Sequence, residues 1–282
     1  MSRATFEGTT ALVTGAASGI GRGLAEALAR RGSHVVLADL NGPRAEEVAD
    51  AIRRAGGAAE GHALDVTDAE AFERLVGAVV ASRGGVDYLF NNAGVFLGVD
   101  ARHMKRDDWS RMIDVNLRGV VHGVHAAYPT MARRRAGHIV NTGSIAGLTP
   151  VPMSAAYAAT KHAVVGLSTS LRAEAAALGV RVSVVCPGIV DTALYDGKPP
   201  EALSRDVIFG ELPTRPLTVE EAVGEILDGV ARDRPIIVLP RMARVIWYLQ
   251  RLSPRFSIWA YQYAVYRLRR RQRAERGAAA AG

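Results

Sequence analysis

Short apolar runs rich in β-branched residues alternate with longer stretches whose apolar positions recur every three to four residues, almost throughout the chain. Runs of three to seven such residues are too short for helices and predict strands at 10–13, 34–38, 58–64, 88–90, 138–141, 181–186 and 236–239. The periodic stretches between them predict helices over 20–31, 43–55, 69–83, 107–134, 155–178 and 219–232. Strands that alternate with helices pair in parallel through right-handed crossovers, so the expected fold class is α/β. One doubly wound domain with a seven-stranded parallel sheet is expected over residues 1–240, with a helical extension at 241–282.

Two segments break this rhythm. Residues 191–218 carry Pro199, Pro200, Pro213 and Pro216 and are too long for a simple connection. They follow the sixth strand, on the side where open α/β sheets bind ligands, so a substrate loop or lid is expected. Within the extension, Met242, Val245, Ile246, Leu249 and Leu252 form one helical stripe. After Pro254, Phe256, Trp259, Tyr263 and Tyr266 share a face, while Ile258, Tyr261, Val265 and Leu268 spread around the other. Three roles remain open for this tail: packing on a partner subunit, covering a lipophilic pocket, or docking on an anionic membrane. Its end, from Arg273 onward, is expected to fray.

Composition narrows the class. The chain has 282 residues, 49% of them hydrophobic and 22% charged, ordinary for a protein that buries a large core. A single cysteine, Cys186, in an apolar run predicts a buried inert thiol and a reducing compartment. Neither a secretory leader nor a membrane-length apolar run is visible, so a cytoplasmic protein is expected, with peripheral membrane contact left open. The net charge of +7 misleads as an average, because residues 241–282 hold ten arginines against one acid, Glu275. The basicity belongs to the tail and not to a nucleic-acid motif, so no nucleic-acid partner is expected. The seven histidines make no cluster with acidic or cysteine partners at ligand spacing, and no metal is expected.

The chemistry is concentrated in two places. Gly15, Ser18, Gly19, Ile20 and Gly21 follow the first strand and open a helix, so backbone N–H groups at the positive helix end can face a pyrophosphate. Asp39, ending the second strand, suits the ribose hydroxyls of an adenosine. A 2′-phosphate about 4 Å from it would be repelled by ~4 kcal/mol, which favours NAD over NADP. Arg22 and Arg44 are the cations whose position could reverse that preference. Farther on, Tyr157 precedes Lys161 by one helical turn, with Ser144 upstream. An ammonium beside a phenol favours the phenolate, so Tyr157 is expected to exchange a proton with substrate at a lowered pKa. Lysine is rare here, at Lys105, Lys161 and Lys198 among 32 arginines, which suits a specific task for Lys161.

These motifs, with Asp65-Val66, Asn91-Asn92-Ala93-Gly94, Asn116 and Pro187-Gly188, stand in the order found in the short-chain dehydrogenases/reductases, and residues 6–240 resemble that family. The resemblance implies a Rossmann-type fold and an oxidoreductase that moves hydride between a nicotinamide cofactor and a secondary alcohol or ketone. An NADP-dependent carbonyl reductase and a non-catalytic dinucleotide-binding regulator are the alternatives. It implies Asn116, Ser144, Tyr157 and Lys161 as the catalytic group, with Asn116 acting on Lys161 through a water. It further implies Asp65 and Val66 at the adenine, Asn92, Ala93 and Gly94 beneath the cofactor, and Pro187, Gly188, Ile189 and Thr192 near the nicotinamide. Gly143 stands where many relatives carry a second serine, which would loosen the loop or widen the pocket. A homodimer or homotetramer built on the helices at 107–134 and 155–178 is implied as well. The aromatic tail favours a lipophilic substrate.

Overall fold

In a computed structural model, which describes residues 6–196, 202–210 and 215–281, with side chains as far as Arg269 apart from Ala264 and Leu268, seven strands form one parallel sheet. They are β1 (Thr10–Thr14), β2 (His34–Asp39), β3 (Ala58–Ala63), β4 (Tyr88–Asn91), β5 (His138–Thr142), β6 (Arg181–Pro187) and β7 (Ile236–Leu239). Their order is β3-β2-β1-β4-β5-β6-β7. Each predicted strand is present, its ends displaced by no more than a residue.

Alternation along the strands divides the core. Ala11, Val13, Val35, Leu37 and Phe90 face one side and pack on α1 (Gly19–Ala29), α2 (Gly42–Arg54) and, farther along the chain, a helix at Val219–Ala231. Leu12, Val36, Leu89 and Ile139 face the other, against α3 (Ala69–Arg83) and helices at Gly119–Arg134 and Ala155–Ala175. Leu12 and Phe72 have no exposed surface and both belong to this second layer. Truncating either to alanine would cost about 2–5 kcal/mol. Local chemistry agrees with the packing: Asn41 and Asp68 accept hydrogen bonds from Arg44 N and Ala71 N at the starts of α2 and α3.

The long helix expected over 107–134 is divided. It consists of α4 (Arg106–Ile113), a π-helical turn at Asp114–Arg118 and α5 (Gly119–Arg134). The additional residue in the wide turn rotates the helix face locally, a change that a hydrophobic period averaged over seven turns does not register. Helix α6 (Ala155–Ala175) follows β5.

The strand order reverses between β1 and β4, and both ends of that crevice carry candidate site residues. After β6 the chain makes a short parallel bridge between Val190 and Leu217, then a helix α7 (Arg205–Gly210), before α8 (Val219–Ala231). Lys198, Pro199, Pro200 and Pro213 of the expected lid lie outside the described residues. The extension forms α9 (Arg241–Leu252) and α10 (Pro254–Ala281), and α10 continues helical beyond Arg273, where fraying was expected.

Candidate active site

A cavity of about 1020 Å³ opens at the carboxyl ends of the strands. Of the catalytic and cofactor-binding candidates from the sequence, all line it except Gly21 and Asn116; Asp39, Asp65, Ser144, Tyr157 and Lys161 are among those that do. Its glycine floor is sterically determined. A Cβ on Gly21 would lie 2.0 Å from the Gly15 carbonyl oxygen, and one on Gly15 would lie 2.9 Å from Ala93 Cα. Gly15 and Gly19 also adopt φ of +64° and +51°, where side chains are strained. Gly21 therefore acts one layer below the cavity, by letting the first turn of α1 close onto the β1 loop.

Asp39 holds that loop from the side. Its carboxylate accepts hydrogen bonds from Ala17 N at 3.0 Å and Asn41 N at 2.9 Å. Arg22 is paired with Glu26 at 2.7 Å and Arg44 with Glu47, each within its own helix. Leu40, 75% exposed, follows Asp39 at the cavity rim. Asp65 accepts from Thr67 N and Oγ1, and Val66 O is bonded to His122 Nδ1 at 2.9 Å.

Thr14 was not among the candidates, yet it joins the two halves of the crevice. Its hydroxyl accepts from Asn92 N and Ala93 N, both at 3.0 Å, and donates to Phe90 O. The Asn92 side chain returns a bond to Thr14 O at 3.1 Å. A threonine ending the first strand immediately before a glycine turn was the available signal.

Asn116 is fully buried in the π-helical turn, and both its amide atoms bind one residue. Oδ1 accepts from Val95 N at 2.8 Å and Nδ2 donates to Val95 O at 2.9 Å. A Cβ on Gly94 would lie 3.1 Å from Asn116 Oδ1 and 3.7 Å from Lys161 Nζ, so the two side chains converge on that glycine.

Ser144 caps a 3₁₀ turn, its hydroxyl accepting from Ala146 N at 3.1 Å. The same hydroxyl faces Tyr157, whose pKa it pulls down. Lys161 Nζ donates to Thr142 O at 2.8 Å and lies 5.6 Å from the Tyr157 ring centroid. Lowering of the tyrosine pKa by this ammonium was expected; burial dominates instead. The protein packed around the Tyr157 ring pushes its hydroxyl up to about 12, with Ser144 pulling the other way. Burial likewise brings Lys161 down to about 8. Tyr157 thus keeps its proton at neutral pH, as a donor requires.

Gly143 lines the cavity and packs against β6. A Cβ there would meet Val184 Cγ2 and Val185 O at 3.1 Å, so glycine lets β5 pass close to β6. Cys186 is buried, as expected, and burial pushes its thiol up to about 12. Beyond the catalytic group, Phe96 meets Tyr157 and Tyr195 edge-on at 5.0 and 5.3 Å. Leu203 and Val207 continue the wall, and Met242, Ile246, Tyr261 and Val265 of the extension complete it. Among the described residues no group of three histidine, cysteine or acidic side chains is placed to hold a metal.

Residues 9–202 match the short chain dehydrogenase family. A 3-oxoacyl-(acyl-carrier-protein) reductase of Thermotoga maritima is 32% identical over 228 residues, which cover 81% of this chain and 92% of that protein. An uncharacterized oxidoreductase of Listeria innocua is 36% identical over 194 residues, covering 68% and 78% of the two chains. The crystal structure of a short chain dehydrogenase/reductase from Burkholderia phymatum in complex with NAD superimposes with a TM-score of 0.80 at 31% identity, over 88% of this chain and 94% of that one.

Proposed function

Because the chain belongs to the short-chain dehydrogenase/reductase family, an oxidoreductase family, we propose that it uses NAD to interconvert a lipophilic secondary alcohol and its ketone. The observation that carries this is Tyr157 with Ser144 and Lys161 in one cavity with the glycine turn and Asp39, the Lys161 ammonium 5.6 Å from the tyrosine ring. The donor set fits a dinucleotide: a cradle that a Cβ would fill, a helix N-terminus, and a carboxylate at the end of β2. When bound, the cofactor supplies the hydride acceptor or donor.

The chain's own groups handle the substrate oxygen. Ser144 and Tyr157 hydrogen-bond it, and Tyr157 gives it a proton during reduction or takes one during oxidation. Lys161, buried and anchored on Thr142 O, keeps a positive charge beside the tyrosine ring and stabilises negative charge developing there. Asn116 fixes Val95 and with it the strand end over which the reaction takes place.

NAD is favoured over NADP because Asp39 meets the ribose end while Arg22 and Arg44 are engaged by Glu26 and Glu47. A lipophilic substrate is favoured by the wall of Phe96, Val207, Ile246 and Tyr261. We also propose a homo-oligomer assembled across α5 and α6, where Val121 stands exposed; a monomer mass by light scattering overturns that part.

The direct test is nicotinamide absorbance with NAD and then NADP across bulky apolar and small polar alcohols, for the wild type and Tyr157→Phe. Turnover of apolar alcohols with NAD, reduced at least ~100-fold in the variant, is expected. Turnover that survives Tyr157→Phe, or a preference for small polyols, contradicts the proposal.

A further inference from the structure

In the extension α10 is apolar on two sides, and α9 carries one broad apolar stripe shared between the cavity and solvent. Their inner sides supply Met242, Ile246, Tyr261 and Val265 to the cavity wall, and Ala243 is buried beneath α9. Their outer sides are also apolar and are open to solvent. On α9, Val245, Tyr248, Leu249 and Leu252 recur at i, i+3, i+4 and i+7, with Leu252 83% exposed. On α10, Phe256, Trp259 and Tyr263 form an outward aromatic ladder with centroid spacings of 5.8 and 6.2 Å. Most of the exposed large apolar side chains among the described residues fall between Met242 and Tyr266. This second apolar side explains why the sequence of α10 is too apolar all round for a helix resting on one surface.

Charge decides what covers this face. Arg241, Arg251, Arg255 and Arg267 stand exposed around it, and the whole segment carries ten arginines against one acid. A second copy of the same face would bring two such sets of guanidiniums together, so self-association is opposed. An anionic surface is attracted. No helix among the described residues is long and apolar enough to cross a membrane, so the contact would lie in the plane of the surface. Tryptophan and tyrosine are the side chains that settle at a lipid headgroup boundary.

We propose that α9 and α10 dock the protein on an anionic lipid bilayer through the Val245–Leu252 stripe and the Phe256–Trp259–Tyr263 ladder. The arginines lie against the headgroups, and the cavity wall built by the same helices is held next to the lipid. An ion pair of 2.8 Å from Arg269 to Asp100, which is 9% exposed, ties α10 to the segment after β4, so the docked helices stay joined to the site.

Cosedimentation of the full chain with phosphatidylcholine vesicles, with and without phosphatidylglycerol, tests this without any turnover, so its failure is separate from that of the hydride-transfer proposal. Binding to the anionic vesicles is expected, weakening as salt rises and by about fivefold for each of Arg255→Gln and Arg267→Gln. The double substitution Leu252→Ser with Trp259→Ser should abolish it and leave NAD affinity and the melting temperature unchanged, since neither side chain lines the cavity. Absence of binding to anionic vesicles, or equal binding to neutral ones, overturns the proposal. So does a dimer in light scattering that this double substitution dissolves, which would make a second copy the occupant.

Discussion

Asn116 grips Val95 with both ends of its amide, accepting from the backbone N–H at 2.8 Å and donating to the carbonyl at 2.9 Å. The bond pair joins a π-helical turn to the chain leaving β4 and keeps Gly94 between Asn116 and Lys161. Beside the action on Lys161 through a water that the resemblance implies, these direct bonds to Val95 point to a positioning role for Asn116.

Asn116→Leu therefore removes both partners of Val95. A loss of roughly 1–3 kcal/mol in urea unfolding is expected for the buried groups left unsatisfied. A fall in kcat larger than any change in KM should accompany it, with Asn116→Asp restoring less than half of the effect because it lacks the amide donor. Unchanged stability and kcat would contradict the positioning role.

Gly21→Ala places a methyl 2.0 Å from Gly15 O and 2.6 Å from Asn92 Nδ2. NAD binding, followed by quenching of tryptophan fluorescence, should weaken at least tenfold because the cradle must open to relieve the contact. Gly224→Ala is the control. Its added Cβ meets nothing within 4 Å on α8, so the fold should gain about 0.4–1 kcal/mol and NAD affinity should stay constant.

Asp39→Asn keeps one of the two acceptor oxygens that hold the loop and removes the charge proposed to face the ribose. The ratio of kcat/KM for NADP to that for NAD should rise at least tenfold, part of the ~4 kcal/mol of repulsion expected at contact distance. An unchanged ratio would mean that Asp39 supports the loop only.

His138 supplies a pH dependence whose sign follows from its bonds. Ser183 Oγ donates to Arg234 O at 2.7 Å, so His138 Nε2, 2.8 Å away, must donate to Ser183, and the buried Nδ1 is left without a partner. Burial pulls the imidazole down to about 3, from 6.5 in the free side chain. The folded protein keeps it neutral while the unfolded chain takes up a proton below pH 6.5, so this contribution to stability is present above 6.5 and is lost as pH falls toward 3. The slope is at most ~1.4 kcal/mol per pH unit. Urea titrations between pH 4 and 7 should show His138→Gln to be less sensitive to acid than the wild type; equal slopes would remove His138 as the cause.

The fold and most of the site were legible along the chain because each depends on local chemistry. Short apolar runs such as Val35–Ala38 mark strands, glycines mark the turn that a pyrophosphate needs, and Tyr157 and Lys161 share a helix face through spacing alone. Two features had no such local signature. The π-helical turn that aims Asn116 is a single-residue insertion in a helix, and Thr142 serves Lys161 through a backbone carbonyl that any residue carries. Thr14 had one, its place between a strand and a glycine turn, but the partners it bonds lie 78 and 79 positions away. The pKa values needed the full surroundings too, since desolvation depends on every atom packed around Tyr157 and Lys161, not on the one neighbour that spacing reveals. For the tail, the sequence by itself determined one amphipathic helix, a second segment apolar on more than one side, and an excess of arginine. Only the tertiary structure decided which side of each helix closes the cavity and which faces outward, because that choice depends on where β7 delivers the chain relative to the distant segments that form the rest of the wall.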